Sequence, residues 1–382
     1  MEFNISRENQ MVRDAIRDWV FKECPRDKIE EWDSADKFPE SLSGKLSRLG
    51  FCAMTVSEDH GGEGRNIQGA CIVAEQIAAR FQPLAKWYTH QAFFGGLLIE
   101  AMGDDSQKRI LLPDCVAGRL LVAPAGIDDS QTPLATFQTD GTGPKTMTFS
   151  LTGESAYVTL ADQAKRLLIP ATTDMENRTD RTTIFLVATD RPGVTITPVE
   201  KIGCRGARYC KVELDNVELD NADILGGESA RCQGGDQWQR ILDISRLVTA
   251  AEALGLARGA FEYTLDYARQ RVQFGQAIGK FTALRNRFSE MACDIDAATL
   301  LLARAAWRAD NDMAYHREAA VARIKAGDVA LRCAMEGLQI FGGYGYMMEY
   351  DIQRYVRDAA GLAAASDGEE AARESIGGLL GL

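Results

Sequence analysis

The class of fold depends on a stretch in the middle of the chain, where residues 183–199 read TIFLVATDRPGVTITPV. Two runs rich in β-branched residues, 183–189 and 194–199, flank the turn residues 190–193. β-Branched residues favour strands, and a cluster of Asp, Pro and Gly favours a turn between them. The pattern predicts an antiparallel β domain over residues 121–227. Similar short runs recur on either side of this stretch, at residues 148–151, 167–171 and 212–219.

The sequence on both sides of this predicted domain follows the helical period. Apolar residues recur at helical spacing near the start of the chain, at Val12, Ile16 and Val20, which predicts a helical N-terminal domain over residues 1–120. With the last segment, the helices that follow the β domain are long enough to form a four-helix bundle over residues 228–382. The predicted fold class is therefore α+β and mostly α. The long helical segments lie at residues 238–271, 283–310 and 317–341.

Composition limits the kind of protein. The 382 residues are 46% hydrophobic, enough to bury a large core in two or three domains. The net charge of −12 is spread along the chain, which argues against nucleic-acid binding. The N-terminus has no signal-peptide pattern and no apolar run is long enough to span a bilayer, so we expect a cytoplasmic protein without a membrane segment. Nine cysteines without CxxC spacing and three scattered histidines suggest neither a disulfide framework nor a metal site.

Two motifs carry residues suited to a phosphate-bearing ligand. The first reads YARQRVQFG at residues 267–275 and continues as AIGKF at residues 277–281, and its Arg271 has a guanidinium well shaped for a pyrophosphate. The second reads QIFGGYGY at residues 339–346, where the glycines end a long helix and let the backbone approach a ligand closely. Taken alone, the arginine is equally typical of a helix surface and the glycines of a simple helix stop.

These two motifs resemble those of the acyl-CoA dehydrogenase family of FAD-dependent enzymes. The family also has the three-part architecture predicted above. The resemblance implies an oxidoreductase that desaturates an acyl-CoA thioester between its α and β carbons and transfers hydride to FAD. It further implies an electron-transfer flavoprotein or a similar acceptor, and a role in fatty acid or steroid side-chain degradation. Shorter matches follow the family's order along the chain, at residues 38–39, 49–50, 57–62, 200–203, 221–226 and 349–359.

The resemblance also assigns cofactor contacts. In the family, the arginine, phenylalanine, glutamine and second glycine of the motifs contact an FAD held at a subunit interface, and the flavin ring lies mainly in the neighbouring subunit. Carried over to this chain, the FAD contacts are Arg271, Phe274, Gln339 and Gly343, with Gln273 beside them. This half of the flavin site is intact. The resemblance therefore implies a tetramer that assembles as a dimer of dimers through the C-terminal helices.

The other half of the flavin site departs from the family. The family usually has a Thr-Glu-Pro segment followed by Gly-Ser-Asp, whereas residues 122–130 of this chain read VAPAGIDDS. A later Trp-Ile-Thr or Trp-Ile-Ser triplet is replaced by Tyr157-Val158-Thr159, which keeps an aromatic ring and a hydroxyl but loses the tryptophan. Tyr157 and Thr159 either still hold a flavin, with the hydroxyl near N5, or are ordinary strand residues.

The catalytic base is the larger departure. Most members remove the α-proton with a glutamate whose place here, counted without gaps, is Ser366, and a minority use a glutamate whose place is Ser245. A desolvated carboxylate suits this task, whereas an unassisted hydroxyl is too weak a base. A slip of one residue in the alignment makes Asp367 a shorter carboxylate base, although its Asp-Gly context is equally typical of a turn.

Two charged residues accompany Ser245 on the same predicted helix. Arg246 follows it directly and is a candidate contact of the substrate. Asp243 lies one turn before Arg246, so we expect it to form a structural pair with Arg246 or Arg240.

Four functions are compatible with this pattern. In the first, the chain is the base-less subunit of a heterotetrameric dehydrogenase and lends its FAD contacts to a glutamate-bearing homologue. In the second, it is a self-sufficient homotetramer with Asp367 as an unusual base. Alternatively, it is a redirected FAD enzyme that cleaves a bond β to the thioester, such as a carbon–sulfur bond, without removing the α-proton. In the fourth alternative it is a non-enzymatic acyl-CoA-binding scaffold. No motif specifies the acyl group, because chain length and branching are selected by the shape of a pocket.

Overall fold

The first part of the chain is helical, as the period of its apolar residues predicts. The computed structural model describes residues 5–126, 134–138, 148–174, 182–363 and 369–382. Ser6 caps the first helix by accepting a hydrogen bond from the backbone N–H of Asn9, and Asp104 and Gln107 form a capping box at the start of the seventh. The helices are α1 (Arg7–Glu23), α2 (Arg26–Ala35), α3 (Glu40–Ser47), α4 (Ile67–Ala78), α5 (Gln82–Thr89), a π-helical segment (His90–Leu97), α6 (Leu98–Met102) and α7 (Asp105–Val116).

The described strands of the middle part form one sheet. They are β1 (Val122–Pro124), β2 (Leu134–Gln138), β3 (Thr148–Thr159), β4 (Arg166–Asp174), β5 (Thr182–Ala188), β6 (Val194–Val199) and β7 (Tyr209–Asp220). Their order is β1-β4-β2-β3-β7-β6, and β5 pairs with β4. Most neighbours are antiparallel, as predicted, but β1 and β2 run parallel to β4, so the expectation of a purely antiparallel domain is corrected. The alternation of residues predicts a strand but carries no information on the direction of its neighbour.

The C-terminal part contains the three long helices that the sequence predicts, each within about one turn of its expected ends. The last segment forms two helices rather than one. The first of them packs against α8 and α10 and completes the four-helix bundle, and the second packs against α10. The elements are α8 (Gly234–Gln270), β8 (Val272–Gln273), β9 (Gln276–Ala277), α9 (Thr282–Asp310), α10 (His316–Phe341), α11 (Ile352–Ala363) and α12 (Glu369–Leu379).

Helix α8 connects the three parts of the molecule. It packs closely on α4, because a Cβ atom at Gly255 would lie 2.3 Å from the carbonyl oxygen of Glu75, and one at Gly259 would lie 2.2 Å from that of Ala79. Only glycine allows the two helix backbones to approach this closely. The same helix also contacts β5 and the bundle helices α9, α10 and α11. Residues on its first half therefore lie where the helical and β parts meet.

The chain changes from helix to strand after α7 and back to helix after β7. A change of secondary structure does not by itself delimit an independently folding unit, so the three domain ranges stay a prediction. Among the described residues, no helix combines the length and the apolar character that crossing a bilayer requires.

Candidate active site

A tight hairpin after α8 presents Phe274 to solvent. Strands β8 and β9 are joined by Phe274 and Gly275, whose φ angles of 51° and 79° both lie in the left-handed region. A two-residue hairpin turn requires this conformation, yet it is rare for a bulky residue. The Phe274 ring is 93% exposed. An aromatic ring held in this way is available for packing against a ligand or a second chain.

The glycine-rich turn lies next to this hairpin. Helix α10 ends at Phe341 and the chain turns at Gly342, whose φ is 61°. A Cβ atom at Gly342 or Gly343 would meet nothing within 4 Å, so the backbone here is open to a ligand. The guanidinium carbon of Arg271 lies 5.4 Å from the centre of the Tyr344 ring, which is a cation–π contact. The two motifs therefore meet on one surface.

A stack of aromatic rings holds the two motifs together. The Tyr267 ring on α8 stacks on Phe341 at the end of α10, with ring centres 3.9 Å apart. Tyr263 stacks on the same ring at 5.3 Å, and Tyr350 meets it edge-on at 5.5 Å. These contacts fix the end of α8 relative to the glycine turn. Among the predicted FAD contacts, Arg271 is half-buried. The others are exposed, namely Gln273, Phe274, Gln339 and Gly343.

The second set of predicted flavin contacts lies at the end of β3. Tyr157 is exposed and Thr159 is half-buried. The cross-strand neighbour of Thr159 is Tyr209 on β7. Burial raises the pKa of Tyr209 to about 12, although the nearby positive charge of Lys86 acts in the opposite direction. The phenol is therefore neutral at pH 7, and its residue lies opposite Thr159 in the strand pair.

The rewritten segment of the flavin half-site follows β1. The backbone N–H of Gly126 donates to the buried Ser155 Oγ on β3 at 3.0 Å, and Gly126 has a φ of 78°. This contact ties the end of β1 to the strand that carries Tyr157 and Thr159. Residues 127–130, where the family has Gly-Ser-Asp, lie outside the described residues.

A buried ion pair lies near Tyr209. Lys86 Nζ is 2.8 Å from Glu252 Oε2, and the same carboxylate accepts hydrogen bonds from Gln82 and Thr89 at 2.9 and 2.8 Å. Burial, the largest single effect, lowers the pKa of Lys86, but the surrounding groups, with Glu252 the foremost, together raise it above its usual value. Lys86 therefore stays charged at pH 7. The hydrogen bonds to the carboxylate offset the cost of removing these charges from water.

One of the two base positions lies within the described residues. Ser245, for which the resemblance predicts the place of the glutamate in a minority of the family, is buried on α8. Ser366 and Asp367 lie outside the described residues. Arg246, also buried, bridges α8 to α12 by donating to the Ala371 carbonyl oxygen and to Ser375 Oγ, at 3.4 and 3.3 Å.

Asp243 has a closer partner than the one expected from the sequence. Its Oδ1 atom lies 3.9 Å from Arg246 Nη1 but only 2.7 Å from His316 Nδ1. The predicted structural pair with Arg246 is present as a long ion pair, and His316 is a closer partner that the sequence did not indicate. His316 begins α10, and its ring reaches α8 only because the two helices pack together. Helical spacing along α8 could not indicate this contact.

The sequence-based predictions did not include three side chains that lie near the end of β3, namely Lys86, Glu252 and Tyr209. Lys86 lies in the apolar stretch 81–99 and Glu252 lies among small residues, and a single charge in an apolar stretch indicates a buried pair. That signal was available. Tyr209 carried no such signal, because its place opposite Thr159 follows from the register of β3 and β7.

This architecture is the one expected of flavin-dependent acyl-CoA oxidoreductases. It combines a helical part, a mixed β sheet and a bundle of long helices, and it brings an arginine and a glycine-rich turn onto one surface. Models of two domains of that class match this chain. The acyl-CoA dehydrogenase N-terminal domain matches residues 6–119, and the acyl-CoA dehydrogenase C-terminal domain matches residues 233–377. The chain belongs to the acyl-CoA dehydrogenase family, and its cofactor is FAD.

Individual relatives agree with this assignment over nearly the whole chain. "Probable acyl-CoA dehydrogenase YngJ" of Bacillus subtilis is 31% identical over 366 residues, covering 94% of each chain. The structure of butyryl-CoA dehydrogenase from Megasphaera elsdenii superposes with a TM-score of 0.92 at 27% identity and covers 100% of both chains. The ChsE4–ChsE5 complex from Mycobacterium tuberculosis superposes with a TM-score of 0.87 at 25% identity, covering 100% of this chain and 99% of the other.

Proposed function

We propose that this chain is the base-less subunit of a heteromeric acyl-CoA dehydrogenase. It lends the FAD contacts of its C-terminal helices to a homologous subunit that carries the glutamate base and the flavin-facing half of the site. The assembled pair desaturates an acyl-CoA thioester, and an electron-transfer flavoprotein or a similar acceptor takes the electrons. The observation that carries the proposal is the contrast between a serine at Ser245 and an intact surface around Arg271 and Gly343.

The exposure of the FAD-contacting surface supports this proposal. Phe274 stands at the tip of its hairpin, and Gly343 has open space where a side chain would lie. These residues fit a cofactor bound between two chains, because their own chain leaves them uncovered. When bound, FAD supplies the hydride acceptor. Arg271 is placed to neutralise a pyrophosphate, and Phe274 to cover an aromatic or ribose surface.

The chemistry of the base position supports a partner. Removal of the α-proton of a thioester needs a base, and a buried carboxylate with a raised pKa serves well. Ser245 offers only an alcohol. In the proposed assembly the glutamate comes from the partner chain. One structural relative, the ChsE4–ChsE5 complex, is itself an assembly of two kinds of chain.

The decisive experiment is expression of this chain alone and with a homologue that carries the family's glutamate base. We expect the co-purified complex to hold about one FAD per pair of chains and to reduce it when an acyl-CoA is added. This chain alone should be colourless or should fail to desaturate the acyl-CoA. Replacing the partner's glutamate with alanine should abolish turnover, whereas Ser366→Ala and Asp367→Asn in this chain should preserve it. A lone chain that retains FAD and desaturates acyl-CoA contradicts the proposal, as does a large loss of activity in either variant.

A second test addresses the FAD contacts. Arg271→Ala in the complex should weaken FAD binding ten- to a hundredfold, since charge-assisted contacts are worth about 1.5–3 kcal/mol. The matched control is Arg269→Ala, two residues earlier, whose exposed guanidinium pairs with Asp266 at 3.2 Å. Flavin retained after ultrafiltration and the thermal midpoint of the apoprotein are the two measurements. If both variants keep their flavin as the wild type does, Arg271 is not the pyrophosphate contact.

A further inference from the structure

Three helices bring together a serine, a histidine and an aspartate beside the first half of α8. Ser375 Oγ lies 2.6 Å from His316 Nε2, and His316 Nδ1 lies 2.7 Å from Asp243 Oδ1. The three residues come from α12, from the first turn of α10 and from α8. A hydroxyl, an imidazole and a carboxylate in this order, at these distances, have the arrangement of a Ser-His-Asp triad. Such a triad is recognised by geometry and roles and not by fold.

The carboxylate determines which nitrogen of His316 carries the proton. A carboxylate only accepts hydrogen bonds, so its short contact to His316 is attractive only if Nδ1 is protonated and donates to Asp243. In the neutral ring the lone pair is then on Nε2, and the Ser375 hydroxyl donates to it. Two donor nitrogens also lie near Nδ1, Gln239 Nε2 at 2.7 Å and Arg246 Nη1 at 3.4 Å. Gln239 donates to the same Asp243 oxygen at 3.0 Å, which leaves the carboxylate as the acceptor for the Nδ1 proton. The serine is thus oriented to give its proton to the histidine.

A cation stands beside the nucleophile. Arg246 Nη1 donates to Ser375 Oγ at 3.3 Å, and the arginine is buried. A preorganised positive charge at this place stabilises negative charge that develops on a reacting oxygen. Ser375 and His316 are only half-buried, so the pair can be reached from solvent. His316 and Asp243 also line an open cavity of about 600 Å³, a volume in the range of small-molecule sites.

We propose that Ser375, His316 and Asp243 form a second catalytic site that hydrolyses acyl thioesters, with Ser375 as the nucleophile and His316 as the base. Asp243 is a positioning residue that acts through His316. Thioesters are the substrate class because a thiolate is a good leaving group, which makes smaller demands on the oxyanion site than an amide does. This activity needs neither flavin nor a partner chain. A test of this hydrolase activity is therefore independent of a test of the heteromeric dehydrogenase proposed above.

The reaction balances without any further reagent except water. Ser375 Oγ attacks the thioester carbonyl carbon as its proton passes to His316 Nε2. The C–S bond breaks, the thiolate takes the proton from His316, and an acyl ester remains on Ser375. A water molecule then attacks the ester carbonyl as His316 accepts its proton. The C–O bond to Ser375 breaks, the serine oxygen recovers the proton, and a carboxylic acid is released.

The first experiment uses the full chain expressed alone and a fluorophosphonate probe, which reacts with activated serines. We expect one probe per chain in the intact mass and its location on Ser375 by peptide mapping. Hydrolysis of butyryl-CoA is measured by chromatographic release of coenzyme A, because the nine cysteines of the chain interfere with thiol reagents. A wild-type protein that neither binds the probe at Ser375 nor releases coenzyme A overturns the proposal.

Variants separate catalysis from folding. Ser375→Ala and His316→Gln should remove labelling and lower butyryl-CoA hydrolysis at least about a hundredfold, since triad residues are typically worth more than that. Asp243→Asn should lower kcat with little change in KM, because an asparagine can donate to Nδ1 and so favour the wrong tautomer. The matched control is Ser289→Ala on α9, whose hydroxyl donates to the Arg285 carbonyl oxygen. If Ser375→Ala hydrolyses butyryl-CoA as fast as the Ser289→Ala control, the triad is only a structural hydrogen-bond chain.

Discussion

His90 is enclosed in the core where α5 passes into the π-helical segment. Its Nδ1 atom contacts the Lys86 carbonyl oxygen at 2.8 Å, and its ring meets Phe94 edge-on. Burial, followed by the positive charge of Lys86, lowers the pKa of His90 from 6.5 to about 3. The residue is therefore neutral in the folded protein throughout the physiological range, where it serves packing rather than proton transfer.

This buried histidine makes stability depend on pH. Below pH 6.5 the unfolded chain takes up a proton at His90, and the folded chain does not until about pH 3, so stability is lost as the pH falls through this window. The loss is at most about 1.4 kcal/mol per pH unit. Between pH 7 and pH 5 we expect the wild type to lose about 2 kcal/mol more than His90→Gln, measured by urea unfolding at one protein concentration.

The control for this prediction is His60→Gln, because His60 is half-buried beside Glu100 and not enclosed in the core. That variant shows how far the loss of an imidazole outside the core changes the pH dependence of stability. If His90→Gln runs parallel to the wild type, then His90 takes up its proton in the folded state near the usual pH.

At the scale of elements, the contact between α8 and α4 depends on two glycines one turn apart. A methyl group at Gly259 would come within 2.2 Å of the Ala79 carbonyl oxygen and 2.6 Å of the Tyr355 ring. The first neighbour is backbone and cannot move aside without shifting α4. Gly361 on α11 is the opposite case, since a Cβ atom there would meet nothing within 4 Å.

These two glycines predict opposite effects of the same substitution. Gly259→Ala should destabilise the protein by about 1–3 kcal/mol or more, because overpacking forces the helices apart. Gly361→Ala should be neutral or stabilising by up to about 1 kcal/mol, because alanine reduces the entropy that a helix residue loses on folding. Urea midpoints of the two variants and the wild type measure both effects. Equal midpoints for the two variants would mean that the close approach of α8 to α4 is not rigid.

At the scale of the whole molecule, the C-terminal bundle leaves a group of large apolar side chains in solvent. Exposed positions around the hairpin and the glycine turn include Phe274, Tyr346 and Met348, with exposed fractions of 93, 83 and 65%. A net charge of −12 works against self-association, so close association needs an apolar contact of this kind. We therefore expect this surface to be covered by another chain.

Phe274→Asp tests this expectation. Aspartate tolerates the left-handed conformation better than phenylalanine, so the hairpin should form as before while the contact acquires an unpaired charge. We expect a smaller assembly by light scattering at micromolar concentration, together with loss of FAD from the active complex. Ile110→Asp, at a 65% exposed position on α7, is the matched control and should leave the mass unchanged. An unchanged mass in both variants places the association surface elsewhere on the chain.

Much of the fold was predictable because it depends on local patterns. The helical period placed α8, α9 and α10, and the β-branched runs placed the strands on either side of residues 190–193. The family motifs lie at helix ends where glycine and arginine have local roles. Family membership followed from these motifs, and the serine at position 245 is evident by inspection. The FAD contacts, which depend on a second chain, stay a prediction.

Only the tertiary structure determined which distant residues meet. Asp243 and Ser375 lie 73 and 59 residues from His316, and Glu252 lies far along the chain from Lys86. The parallel pairing of β1 and β2 with β4, and the place of Tyr209 beside Thr159, likewise depend on register and direction. Local periodicity indicates which face of an element is buried. Which partner it is buried against depends on how the whole chain packs.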